Sequence, residues 1–262
     1  MPRSRFALLL AGLAALPHSL PAQEGGGYEV SMATGDSLTD ALQPAAALEQ
    51  YRAAYLERQT YESMWKFARS QIDIARLVDE DDKELRDSLY NVAFLYAQAA
   101  TRADSSDAEG HFMLSLALGR LSLTKGGKER VRFAKDIYER AARAVEIDPE
   151  HDGAHHVLGQ WHAEILRLSG IARFFAKTFL GGGFMERASW DSATVHMERS
   201  VELKPEDLQH RFDLAGVYID LERYADARHQ LEEVLRLEPN QDVLDRQTQA
   251  DAASQLEDIR ER

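Results

Sequence analysis

The sequence predicts an all-α chain, a solenoid of about four irregular helical hairpins closed by a C-terminal helix, and three observations carry this expectation. After Pro44 only Pro149, Pro205 and Pro239 remain, each ending a similar phrase: AVEIDP from Ala144, SVELKP from Ser200 and VLRLEP from Val234. Proline lacks an N–H and collides with the preceding turn, so three in one phrase mark three equivalent helix ends. No glycine falls between Gly35 and Gly110, a long stretch free of that helix breaker. No segment alternates apolar and polar residues between turn residues, so the strand signal is missing.

The first residues read as an address. Arg3 and Arg5 precede the apolar run Phe6–Leu16, and Pro17 and Leu20-Pro21-Ala22 follow. A basic start, a short apolar stretch and a small residue at the cut make a secretory signal peptide over residues 1–22, cleaved near Ala22. The alternative is retention as an N-terminal anchor, although a spanning helix needs roughly 20 apolar residues. Residues 23–43, rich in Gly, Ser and Thr, read as a flexible leader, and residues 44–262 as the helical domain. The expected mature protein is exported, periplasmic or secreted.

Within that domain Pro205 and Pro239 lie 34 residues apart, the period of the tetratricopeptide repeat. The window Leu208–Gln241 fits that pattern. Leu214 and Ala215 form its Leu-small pair, Tyr218 its aromatic, Tyr224 and Ala227 the start of its second helix, and Leu231 and Val234 the inner face. Earlier windows start at Phe67-Ala68, Leu114-Ser115 and Leu158-Gly159, and the repeats end near residues 105, 149, 205 and 239. The third carries an insertion at 165–185. Val243–Ile259 reads as the closing amphipathic helix that a repeat stack needs.

Composition narrows the function. The 262 residues carry 31 Lys and Arg against 44 Asp and Glu, a formal charge of −13. Nucleic acid is therefore not an expected partner, since phosphate binding needs concentrated positive charge. Cysteine is absent, which removes disulfides, thiolate metal sites and cysteine nucleophiles. Gly126-Gly127-Lys128 lacks the earlier glycine and the following Ser or Thr of a phosphate loop. Asp79–Asp82 lacks the spaced oxygens and glycine of a calcium loop and reads as a solvated turn.

MWKFAR at Met64–Arg69, AVEIDP at Ala144–Pro149 and HVLGQW at His156–Trp161 resemble the regulator of microtubule dynamics family. The resemblance implies an irregular tetratricopeptide array acting as an interaction scaffold, with no catalytic signature. It also implies links to microtubules, but the export signal argues against tubulin as a partner. The expected function is a non-enzymatic scaffold that binds a protein or peptide in the groove lined by the first helices.

Groove positions transferred by the repeat pattern are Trp65, Phe112, His156 and Phe212, a ring in each repeat, then Arg69, Leu116 and Gln160, then Ile72 and Ile219. Aromatic side chains supply much hot-spot area, but such rings also pack between neighbouring helices. The carboxylate clamp of some such proteins needs several Lys, Arg or Asn here, and only Arg69 qualifies.

Two other features offer alternatives. The insertion holds Arg167, Arg173 and Lys177 and no acid, with Phe174, Phe175 and Phe179 at helical spacing. It reads as a lid over the solenoid or as an interfacial helix touching a membrane surface. His151, Asp152, His155, His156 and His162 crowd one helix and offer the third reading, a metal-dependent enzyme. Because His155 and His162 sit at buried aromatic positions, the sequence is read with no metal, no cofactor and no catalytic residue.

Overall fold

The computed structural model describes residues 26–179 and 182–262, and every regular element among them is helical. The elements are α1 (Gly27–Asp40), α2 (Pro44–Glu57), α3 (Tyr61–Leu77), α4 (Lys83–Ala103), α5 (Ala108–Ser122) and α6 (Gly127–Ile147). They continue with α7 (Asp152–Arg167), α8 (Gly170–Phe179), a 3₁₀ helix (Gly182–Arg187), α9 (Trp190–Leu203), α10 (Leu208–Asp220), α11 (Tyr224–Arg236) and α12 (Asp245–Asp258). The hairpins are α1–α2, α3–α4, α5–α6, α7–α9 and α10–α11. Helices α3, α5, α7 and α10 touch in succession along the inner face, and α12 packs on α10 and α11. This is a tetratricopeptide-like solenoid with a capping helix.

Local chemistry sets the helix starts. Thr60 and Ser63 form a reciprocal capping box at α3, and the side chains of Asp82, Asp107, Ser189 and Asp207 accept from the first-turn N–H groups of α4, α5, α9 and α10. Each bond satisfies a donor that the helix itself cannot. Small residues then set the spacing. Ala93, Ala97 and Ala100 are fully buried on α4, and a Cβ on Gly159 would lie 2.4 Å from Met197 Cγ on α9.

The leader expected over residues 23–43 is corrected: residues 27–40 form α1, and with α2 it adds a fifth hairpin before the four expected. Tyr28, Met32, Ala47, Tyr51, Ala54 and Phe67 share one apolar cluster. Gly35 is the enabling residue, because a Cβ there would sit 2.5 Å from the Tyr51 ring. The Tyr51 hydroxyl donates to Asp36 Oδ1 at 2.9 Å. Glycine, serine and threonine here serve close helix packing rather than flexibility. The expected signal peptide, residues 1–22, lies outside the described residues.

The stack also meets itself. Between α11 and α12 the segment 237–244 reaches back to the first hairpins. There Arg76 of α3 grips Asp242 with Nη1–Oδ2 2.7 Å and Nη2–Oδ1 2.8 Å, and Gln241, Asp242 and Val243 line a small cleft with Leu42, Pro44 and Arg69. Burial lowers the Arg76 pKa, but Asp242 and Asp73 outweigh it and hold the guanidinium charged. Removing one partner of a shielded, bidentate pair costs several kcal/mol at most sites, less where one end is partly wet. Asp242→Ala is therefore expected to lower stability by about 1–3 kcal/mol and to raise amide exchange across residues 239–245, read by hydrogen–deuterium exchange.

Candidate functional site

The inner face holds one large cleft of about 560 Å³. Its apolar wall comes from Val131, Ala134 and Ile137 of α6, Trp161 and Ile165 of α7, Leu168, Ala172 and Ala176 around α8, and Met185 of the 3₁₀ helix. Its polar side carries Arg76, Ser115, Arg120, His156, Gln160, Gln209 and Asp213, and Leu244 of the returning segment closes one edge.

Most polar groups there are spoken for. His156 Nε2 donates to Asp213 Oδ2 at 2.8 Å, and Gln209 donates to the same oxygen at 2.8 Å. Burial raises the Asp213 pKa, yet these donors outweigh it and keep the carboxylate ionised. Arg120 is different. Burial lowers its pKa and Arg76 nearby lowers it further, Tyr90, Asp213 and Asp242 only partly offset this, and among the described residues no acid lies within 4 Å of it. A desolvated cation is costly unless paired. The cleft therefore combines a guanidinium that lacks a direct ion-pair partner with an apolar wall, a combination complementary to an anionic group joined to an apolar one.

The expected groove residues fall into four groups. Leu116, His156 and Gln160 line the cleft. Arg69 borders the smaller cleft under residues 241–243. Trp65, Phe112, Phe212 and Ile219 are half-buried against the two largest apolar clusters, and the Phe112 ring leans on His151 at 4.6 Å. Ile72 is corrected: at 1% exposure it is core and cannot meet a ligand. Sequence reasoning missed Arg76, Arg120 and Arg130, the three arginines that line the cleft. An arginine on an otherwise apolar inner face was the available signal, since the phrase at Leu116–Leu121 is LALGRL.

The insertion folds over the cleft. Ala176 and Met185 are buried with Val131, Trp161 and Ile165. Trp161 Nε1 donates to the Ala134 carbonyl at 2.6 Å, and its ring lies 4.6 Å from Tyr138 and 6.2 Å from Phe184. The basic groups are answered within the protein. Arg167 pairs with Asp220 at 2.6 Å and Glu164 at 2.7 Å, Lys177 pairs with Glu186, and Arg173 donates to the carbonyls of Leu166 and Leu168. Ile171 and Phe174 face outward at 72% and 60% exposure, and the side chains of Phe175 and Phe179 lie outside the described residues. No helix among the described residues is long and apolar enough to cross a membrane.

The histidine-rich helix spends its rings on packing. His151 Nδ1 caps α7 at the Ala154 N–H. His155 Nε2 donates to the Pro149 carbonyl at 3.1 Å, and its Nδ1 lies 2.9 Å from His196 Nδ1. His162 accepts from the Ser189 N–H at 3.3 Å and stacks parallel to His196. Among the described residues His151, His155 and His162 do not converge on a common point, so these three rings form no shared ligand seat. Burial pulls the His196 pKa down to about 4, and His155 and His162 beside it lower it further; burial also lowers His155 and His162.

These rings are neutral when folded but take up protons near pH 6.5 when unfolded. The contribution of His155, His162 and His196 is therefore fully present well above pH 6.5 and falls as pH drops toward 4, with His196 alone contributing roughly 2–3 kcal/mol of loss. Thermal melts at pH 7.5, 6, 5 and 4.5 should show Tm falling across that window, with a shallower fall in His196→Gln.

Comparison with known proteins agrees with this architecture. A thermophilic tetratricopeptide-repeat protein of Thermus thermophilus superposes with TM-score 0.64 at 19% identity, over 87% of this chain and 98% of that one. Regulator of microtubule dynamics protein 3 of Rattus norvegicus is 28% identical over 169 residues, 64% of this chain and 34% of its own length. Regulator of microtubule dynamics protein 1 of Bos taurus is 23% identical over 158 residues, 60% of this chain and 49% of its own. The chain thus spans half or less of these relatives. The family profile of regulator of microtubule dynamics protein 1-3 matches residues 32–260, and the chain belongs to that family.

Proposed function

We propose that this protein is a non-enzymatic binding scaffold whose inner cleft receives a protein or peptide segment carrying an acidic group beside a bulky apolar side chain. One observation carries the reading: Arg120 lines an apolar-walled cleft on the solenoid's inner face with no ion-pair partner within 4 Å among the described residues, and Asp213 and Asp242 act on it only from farther away. A carboxylate from the partner would pair with Arg120, and its apolar neighbour would lie against Ile137, Trp161 and Ile165. Charge-assisted hydrogen bonds of this kind are among the stronger polar contacts. The insertion acts in this scheme as a lid, a role its internally paired basic groups favour over contact with lipid.

Selection from a random peptide display library tests the proposal. Enriched peptides should pair Asp, Glu or a free C-terminus with a large apolar residue, and enrichment should vanish on the Arg120→Met protein. No enrichment, or enrichment indifferent to Arg120, would overturn it. The apolar wall also suits a small amphipathic anion, and calorimetry with dodecanoate separates that second reading from the peptide one.

The basic start, apolar run and Ala22 motif support action outside the cytoplasm after loss of residues 1–22. N-terminal sequencing of the mature protein tests that directly. An exported protein would not meet tubulin, so purified protein is expected to stay in the supernatant when stabilised microtubules are pelleted.

A further inference from the structure

Where α7 and α10 begin, three ligand-type atoms converge outside the cleft. His210 Nε2 lies 3.9 Å from Asp152 Oδ2 and 3.9 Å from Asp207 Oδ2, and all three atoms fall within 4.8 Å of one another. These separations are too long for hydrogen bonds. His210 is only 5% exposed, its Nδ1 has no partner, and its Nε2 points at the two carboxylates without bonding either. A buried imidazole nitrogen left without a partner, as Nδ1 is here, is uncommon in a folded protein.

We propose that Asp152, Asp207 and His210 hold one first-row divalent cation of the zinc class, which ties the start of α7 to the start of α10. One imidazole and two carboxylates suit zinc, with water completing the shell. Tetrahedral zinc at about 2.0 Å from each donor holds donors roughly 3.3 Å apart, so each of the two 3.9 Å separations from His210 has to contract by about 0.6 Å. Each ligand is positioned by its helix: Asp152 opens α7, Asp207 caps α10, and His210 stands one turn later. The Asp152 side chain is one-third exposed and gives the ion a way in.

Two neighbours shape the site. Lys204 Nζ lies 3.3 Å from Asp207 Oδ2 and would be displaced by the ion. The His156 ring stacks on His210 at 4.6 Å between centroids and is anchored by Asp213, which links the site to the cleft edge without making it part of the ligand seat.

Calorimetric titration of the untagged full-length protein with zinc chloride tests the proposal, with calcium chloride as the hard-cation control. One zinc per chain should bind with a dissociation constant below about 10 µM, at least tenfold tighter than calcium. Asp152→Asn and His210→Gln should each weaken zinc at least tenfold, whereas His155→Gln, in the other histidine cluster, should leave it unchanged. Circular dichroism confirms that each variant is folded. Should Asp152→Asn fail to fold, Lys204→Met supplies the second arm, since removing the competing cation should tighten zinc. Absence of saturable zinc binding, or zinc binding that follows His155 rather than Asp152 and His210, would overturn the assignment.

Discussion

Trp161→Ala is expected to lower the unfolding free energy by about 3–5 kcal/mol, the range for deleting a buried large aromatic side chain. The indole joins α6, α7 and the insertion at once. It donates to the Ala134 carbonyl, packs on Tyr138 and Phe184, and shares a cluster with Val131, Ile165, Ala176 and Met185. Collapse into the space is limited because α6 and α7 are each anchored by other contacts. Amide exchange should therefore rise most across α8 and the 3₁₀ helix, ahead of α10 and α11. Chemical denaturation gives the magnitude and exchange gives the location; a loss under about 1 kcal/mol with unchanged exchange would show that the lid is held by other groups.

Arg120→Met is expected to have the opposite sign. A half-buried guanidinium without a direct ion-pair partner costs folding free energy, and an apolar side chain of similar length removes that cost. Replacing a whole buried ion pair with apolar residues is often neutral or stabilising by about 1–4 kcal/mol, and a gain in the lower half of that range is expected for one cation bordering a cleft. The variant should thus melt higher in the absence of ligand while losing at least tenfold in affinity for acidic peptides. A variant that melts lower, with affinity intact, would mean that Arg120 serves the fold.

Much of the architecture was legible because helix ends and close contacts leave local marks. The proline phrases fall two or three residues beyond α6, α9 and α11, where the chain has to leave the helix. The first hairpin was legible too, but only by comparison. Gly35, Ala47, Tyr51 and Ala54 occupy the places of Ala215, Ala227, Leu231 and Val234, each 180 residues earlier. Leu42 and Glu222 share the same positive φ, 55° and 58°, at the two hairpin turns. Glycine at the small position and proline at the second helix start disguised the match as a linker.

What stayed hidden depends on distant pairs. The Arg76–Asp242 bond joins residues 166 apart, and no periodicity announces it. The ring ladder was read from repeat position alone, yet position does not say whether a ring faces the cleft or the next helix. Here Phe112 leans on His151 and His156 stacks on His210. Which cation lacks a direct ion pair is likewise a property of the folded surroundings: Arg76 and Arg120 look alike in sequence, and only Arg76 is bonded to a carboxylate.

The most direct measurement places a photo-crosslinking residue at Gln160, in the cleft, and at Val195, exposed on the second-helix face at 63%, in the producing cell. The account predicts a discrete adduct from position 160, none from 195, and loss of that adduct when Arg120→Met is added. Equal adducts from both positions, or an adduct from 160 that survives Arg120→Met, would contradict it.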